Sequence, residues 1–171
     1  MTEALPFTSA LVTGASSGIG EAMVEVLGEA GIRTVVVARR VDRLDELAAR
    51  FDCVEVLAAD LTDPRGLAAV VARVSDSAVP IDLVVNNAGF GTSGDLHELD
   101  ADRLDREVQL NIAALTRISH AALAAMVPRG RGYLLNVSSV ASFQPAPKLA
   151  VYAATKAYVT SLTESLHEEV R

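Results

Sequence analysis

The chain has 171 residues, with 15 Lys and Arg against 22 Asp and Glu, for a formal net charge of −7. That balance excludes a nucleic-acid binder working by bulk charge. Half of the residues are hydrophobic but only 4% are aromatic, so the apolar mass is Ala, Val and Leu, which argues against disorder and suits helices packed on a buried sheet within one domain, residues 1–171.

The first residues carry no basic stretch and no apolar run before Thr8, so no secretory leader is expected. Strands are expected at residues 9–12, 34–38, 53–58, 81–85 and 133–137, most of them unbroken apolar runs of the kind found in a parallel sheet covered on both faces. Helices are expected at residues 18–30, 41–51, 64–75, 101–126 and 151–170. Regular alternation of strand and helix implies right-handed crossovers and a Rossmann-type α/β fold. This is a doubly wound parallel sheet of at least five strands, order 3-2-1-4-5, with helices on both faces. Ligands bind such a sheet at the carboxyl ends of its strands, where the winding reverses. A fifth helix calls for a further strand to receive its crossover, so the domain is expected to be truncated at its C-terminus. Charged residues interrupt each apolar stretch before the ~18 residues of a membrane span, and no spanning segment is expected. Cys53 is the only cysteine, opening the third strand as a small apolar residue, and a reducing, cytoplasmic setting is the expectation. His97, His120 and His167 are too scattered for metal ligation, so no metal is expected.

After the first strand comes Thr13-Gly14-Ala15-Ser16-Ser17-Gly18-Ile19-Gly20, opening a helix. Glycines let the backbone turn sharply and approach a pyrophosphate, and the helix N-terminus offers it unpaired N–H groups. A phosphate-loop NTPase is excluded because no lysine follows the last glycine. About 20 residues on, where a carboxylate would take the ribose hydroxyls of NAD, stands Ala38, followed by Arg39 and Arg40. Guanidinium forks suit the 2′-phosphate of NADP(H), which is the preferred cofactor here, with NAD(H) possible.

Tyr152 and Lys156 are four apart on a predicted helix and share a face. A phenol titrates near ~10, so proton exchange at neutral pH benefits from a nearby cation, and Lys156 is one. Ser139 follows the fifth strand, where its hydroxyl can donate to a substrate carbonyl. Asn111 sits inside an apolar stripe of Leu104, Val108, Leu115, Ile118 and Ala122, and a buried amide needs a partner. Phe90, Gly91 and residues 143–147 are candidates for the substrate pocket. On the last helix Ala153, Ala157, Ser161 and Ser165 form a row of small residues, opposite a sheet-facing row of Val159, Leu166 and Val170.

Together the Thr13–Gly20 loop, Asn86-Asn87-Ala88-Gly89, Asn111, Ser139 and Tyr152-Ala153-Ala154-Thr155-Lys156 resemble the short-chain dehydrogenase/reductase family in order and spacing. The resemblance implies that Tyr152 is the general acid or base, that Lys156 tunes it and holds the nicotinamide ribose, that Ser139 polarises the carbonyl, and that Asn111 holds a water linking Lys156 to solvent. It also implies that Gly14, Ser16, Ser17, Gly18, Ile19 and Gly20 receive the cofactor phosphates. Asp60 and Leu61 would flank adenine, and Asn87, Ala88 and Gly89 would support the ribose and phosphate side. NADP-dependent members often carry a basic residue before the middle glycine. Here Ser17 stands there, so the 2′-phosphate would rest on Arg39, Arg40 and Ser16 or Ser17. The expected function is NADP(H)-dependent interconversion of a small-molecule carbonyl and a secondary alcohol. The alternative is a catalytically silent dinucleotide-binding or scaffolding protein of the same fold. By the same resemblance the fourth and fifth predicted helices pair copies into a homodimer or homotetramer. No nucleic-acid or membrane partner is expected.

Overall fold

The computed structural model describes residues 5–171, so the leader reading of residues 1–4 lies outside the described residues. Five strands, β1 (Ser9–Thr13), β2 (Arg33–Ala38), β3 (Val54–Ala58), β4 (Leu83–Asn86) and β5 (Tyr133–Asn136), form one parallel sheet in the expected order, β3-β2-β1-β4-β5. Successive side chains of a strand point to opposite faces, and β1 shows the result. Ala10 and Val12 pack with Val24, Leu27, Leu44 and Leu47 of α1 (Gly18–Glu29) and α2 (Val41–Arg50). Leu11 instead packs with Val70, Val74, Ile118 and Ala122 of α3 (Pro64–Val74) and α5 (Leu115–Met126). The helix after β1 therefore covers one face and the helices after β4 the other, which opens a crevice between these adjacent strand ends.

The expected helix over residues 101–126 is three pieces: α4 (Ala101–Val108), a π-helical turn (Gln109–Ala114) that contains Asn111, and α5. By length and composition the continuous stretch Ala101–Arg129 could cross a membrane, a feature the charge-interruption argument overlooked. In the fold its apolar side is spent on the sheet, with Ile118, Ala122 and Met126 in the core. The final helix, α6 (Ala150–Glu169), lies beside these pieces.

Several expectations are corrected. In the stripe through Asn111 it is Glu107, wholly buried, that turns inward, while Val108 is exposed. β5 is covered on one face only: Leu134 joins the core, whereas Tyr133 and Leu135 are exposed. Cys53 precedes β3 rather than opening it, and is half-buried with Sγ 3.9 Å from the Gly28 carbonyl. On α6 Ala153 and Val159 are buried and Val170 is exposed, so the small-residue row is open to solvent only at Ala157, Ser161 and Ser165. At the amino end of the sheet Asp82 accepts from Thr8 N (3.1 Å), Thr8 Oγ1 (3.0 Å) and Arg131 (2.9 Å). Burial opposes its ionisation, but the Thr8 bonds and the Arg131 and Arg129 guanidinium groups together hold its carboxyl below the usual range.

Candidate functional site

Above the crevice lies a cleft of about 790 Å³, lined from both sides of the sheet. Its floor is the glycine loop. Gly14 has φ +68°, and a side chain there would meet Asn87 Nδ2 at 2.8 Å and Ala88 Cα at 2.9 Å; at Gly20 it would collide with the Gly14 carbonyl oxygen. Gly18, at φ +59°, faces open space. Two glycines thus allow close backbone packing, and the third sets the turn that opens α1 towards the cleft. Thr13 locks the loop to β4. Its hydroxyl donates to Val85 O (3.2 Å) and accepts from Asn87 N (3.0 Å) and Ala88 N (3.1 Å), while Asn87 Nδ2 donates to Thr13 O (3.0 Å). The expected cofactor residues Gly14, Ser16, Ser17, Ile19, Leu61, Asn87, Ala88 and Gly89 all line this cleft.

The two arginines after β2 separate in role. Arg40 Nη2 donates to Ser16 O (2.9 Å) and Ser16 Oγ (3.0 Å), with Nε also on Ser16 Oγ (3.2 Å), so it braces the loop. Arg39 is 76% exposed at its side chain and reaches only Asp60, at 3.9 Å, which leaves its guanidinium available at the rim. Asp60 Oδ1 accepts from Thr62 N (2.9 Å) and Thr62 Oγ1 (2.7 Å). Burial works against its ionisation, yet the Thr62 bonds and Arg39 keep the carboxyl below its usual range.

On the opposite side Tyr152 and Lys156 line the cleft from successive turns of α6. Lys156 is 5% exposed; its Nζ donates to Val137 O at 2.8 Å and lies 5.8 Å from the Tyr152 ring centroid. With no carboxylate beside it, burial lowers the pKa of its ammonium. Gly91 abuts Tyr152: a side chain there would meet the ring at 2.9 Å. Asn111 is buried in the π turn, a helix defect that often marks functional positions. Its Nδ2 donates to Phe90 O (2.8 Å) and Thr155 Oγ1 (3.1 Å), and its Oδ1 accepts from Phe90 N (3.2 Å). The amide thus clamps the Gly89–Gly91 strip to α6. Asn111 Oδ1 and Lys156 Nζ also share a space, since a side chain on Gly89 would meet them at 2.9 and 3.5 Å. Ser139, which like Asn111, Gly18 and Gly20 is not among the residues lining the cleft, caps the short turn Val140–Phe143, its Oγ accepting from Ala141 N at 3.2 Å, which leaves its own hydrogen to donate.

Residues 143–147 line a separate shallow groove with Ala150, Ala153 and Ala157, whereas Phe90 and Gly91 do border the main cleft. Sequence reasoning missed Ser138, whose hydroxyl donates to Lys156 O (3.0 Å), and the cleft-lining Arg103, Arg106 and Leu110. The spacing of these last three was the available signal, because positions 103, 106 and 110 follow one side of a helix. Among the described residues no group of three or more His, Cys, Asp or Glu is placed to hold a metal ion.

A dinucleotide-sized cleft with a glycine-built floor, facing a Tyr–Lys pair on a doubly wound sheet, defines a dinucleotide-dependent class of protein. The short chain dehydrogenase family model matches residues 8–171, and the chain belongs to that family. An uncharacterized oxidoreductase of Staphylococcus epidermidis is 35% identical over 162 residues, covering 94% of this chain and 70% of the relative. Among solved structures, a short-chain dehydrogenase from Sphingobium yanoikuyae in complex with NADPH superposes with a TM-score of 0.91 at 41% identity, covering 95% of this chain and 65% of that one. The bulky-bulky ketone specific alcohol dehydrogenase from Comamonas testosteroni gives a TM-score of 0.90 at 39% identity, over 95% of this chain and 66% of the other. The chain therefore spans just under two thirds of the length of these two solved relatives.

Proposed function

We propose that the protein is an NADP(H)-dependent oxidoreductase that interconverts a carbonyl and a secondary alcohol, with Tyr152 as general acid and base. The observation that carries this reading is the convergence on one cleft of the Tyr152–Lys156 pair, the glycine floor and the free Arg39 rim. The NADPH bound in the Sphingobium yanoikuyae structure and the NADP bound in a metagenomic short-chain oxidoreductase, 34% identical to this chain, support the cofactor class.

The residues present suit such a cofactor. The α1 N-terminus at Gly18–Gly20 would receive its diphosphate, Asp60 and Leu61 its adenine, Asn87–Gly89 its ribose and phosphate side, and Arg39 its 2′-phosphate. When bound, the nicotinamide supplies or accepts the hydride. Tyr152 gives its hydroxyl proton to the carbonyl oxygen in reduction and takes it back in oxidation. Lys156, held by Val137 O, sets its ammonium 5.8 Å from the ring centroid of that phenol. Ser139 donates its hydroxyl hydrogen to the same carbonyl oxygen. Asn111 holds the Gly89–Gly91 strip against α6, so the wall of the site and the Tyr–Lys helix move as one unit. The intact site favours chemistry over a silent scaffold. A second copy of the chain would pack on the exposed Ala157, Ser161 and Ser165 of α6, giving a homodimer or homotetramer.

The test is steady-state oxidation of NADPH and of NADH against a panel of ketones spanning small and bulky substituents. Turnover with NADPH exceeding that with NADH supports the proposal, and no turnover with any ketone and either cofactor contradicts it.

A further inference from the structure

The cleft carries a charge that its catalytic residues do not account for. In a chain of net charge −7, five cationic side chains (Arg39, Arg40, Arg103, Arg106 and Lys156) line it, against the single carboxylate of Asp60. Arg40 is spent on Ser16, Lys156 on Val137 O, and Arg39 faces Asp60. Arg103 and Arg106 have no such assignment.

Both project from α4, three residues apart, and so lie on one side of it. Acidic neighbours are plentiful on the same short stretch: Asp100, Asp102, Asp105 and Glu107. None neutralises them. Asp100 is used as the cap of α4, accepting from Asp102 N at 2.9 Å, and Glu107 turns inward, with both carboxylate oxygens buried and without a protein partner. Among the described residues no ion pair includes Arg103 or Arg106. Both side chains are exposed, and Arg103 holds its guanidinium over the Phe90 ring, 5.2 Å from its centroid, at the cleft wall. Phe90 belongs to the strip clamped by Asn111, and its neighbour Gly91 abuts Tyr152. Arg103 therefore sits over the wall that ends at the proposed acid, and Arg106 lines the same cleft.

The sheet order separates this pair from Arg39. Arg39 follows β2, whereas Arg103 and Arg106 follow β4, on the other side of β1. Arg39 thus enters the cleft from the β2 side and the α4 pair from the β4 side, so an anion held at Arg39 does not by itself account for the pair. We infer that Arg103 and Arg106 form a second anion-binding site in the cleft, which takes a phosphate or carboxylate of the bound ligands. The inference rests on the NADP(H) reading above. Two sources fit this chemistry: the cofactor's own diphosphate, or an acid group on the substrate at some distance from its carbonyl.

Equilibrium binding distinguishes them without turnover. The Arg103→Ala/Arg106→Ala variant is compared with wild type and with Arg117→Ala/Arg171→Ala, which removes the same charge outside the cleft. NADPH is titrated by fluorescence. Acetophenone and 4-acetylbenzoate are then titrated by calorimetry into protein saturated with NADP⁺, where the oxidised cofactor and the ketone cannot react. Loss of one charge-assisted contact weakens binding about tenfold or more. Weaker NADPH binding in the cleft variant alone assigns the site to the diphosphate. Unchanged NADPH binding with weaker 4-acetylbenzoate binding, and no change for acetophenone, assigns it to a substrate acid. If both the NADPH and the 4-acetylbenzoate titrations are unmoved by the double substitution, or move equally in the Arg117/Arg171 control, the inference is overturned. A wild-type protein that binds no NADPH overturns the cofactor reading itself, and the second site with it.

Discussion

Replacing Lys156 with methionine should make the cofactor-free protein more stable, because the side chain is held in place at a cost to the fold. Lys156 is 5% exposed, donates one hydrogen bond, to Val137 O, and has no carboxylate beside it. Burial pushes its pKa down, so the folded protein disfavours the charge relative to the unfolded chain. Methionine keeps the length of the stem and removes the charge. It also gives up the bond to Val137 O, but that carbonyl borders the cleft, where water can replace the donor. A net gain of about 1 kcal/mol is expected, the lower end of what replacing buried charge by apolar groups yields, or roughly 2–4 °C in Tm for a chain of this size. The sign with pH follows. Because the folded pKa lies below the unfolded value of about 10.4, the unfolded chain binds the proton more tightly and the wild-type stability rises with pH between the two. The advantage of the variant is therefore full below the depressed folded pKa and disappears as the pH approaches about 10.5. Thermal unfolding of both proteins at a series of pH values from neutral upward is the assay. A variant less stable than wild type at pH 7, or an advantage that grows with pH, would refute the reasoning.

Arg39→Ala should narrow or reverse the preference for NADPH over NADH, since a charge-assisted bond to the 2′-phosphate contributes roughly 1.5–3 kcal/mol; equal affinities of the unmutated protein for the two cofactors would remove the basis for this. Asp82→Asn should cost about 2 kcal/mol at pH 7, or about 4–8 °C in Tm, by leaving Arg131 and Arg129 without their carboxylate. The folded pKa of Asp82 is depressed, so its contribution is present above the unfolded value near 3.9 and is lost as pH falls through the folded one. Wild type and variant should therefore converge in acid, and parallel acid-unfolding curves would contradict the assignment. Ala157→Arg should shift the protein towards monomer in sedimentation velocity, and a wild type that is already monomeric would refute pairing through α6.

The sheet was legible because its signals are local. Unbroken apolar runs, each followed by a helix-period stretch, determine the order once the glycine loop marks β1. The strand ends were less legible. β4 is assigned from Leu83 rather than from residue 81, although Asp82 N already bonds Ser9 O of β1 (3.2 Å) and Ser9 Oγ (3.0 Å), so the difference is one of strand-end bounds. The glycine loop, Tyr152 and Lys156 stood out because their chemistry depends on spacing along the chain. The division of labour between Arg39 and Arg40 did not, because it rests on a contact between residues 24 apart in sequence. On α4 the periodicity was misread by one position. A run from Asp100 to Glu107 rich in acids and bases gives little apolar phase to follow, so the inward turn of Glu107 could not be seen without the fold, whereas the 103, 106, 110 spacing did put Arg103, Arg106 and Leu110 on one side of the helix.

The central claim is that Tyr152 transfers the proton in an NADP(H)-dependent reaction, and Tyr152→Phe tests it most directly because the ring that lines the cleft stays and only the hydroxyl is lost. NADPH affinity and ketone reduction should be measured on the same preparations of wild type and variant. The account predicts NADPH binding within about twofold of wild type and turnover reduced by about 10²–10⁴-fold, the usual worth of general acid–base catalysis. An active wild type whose variant keeps full turnover would contradict it.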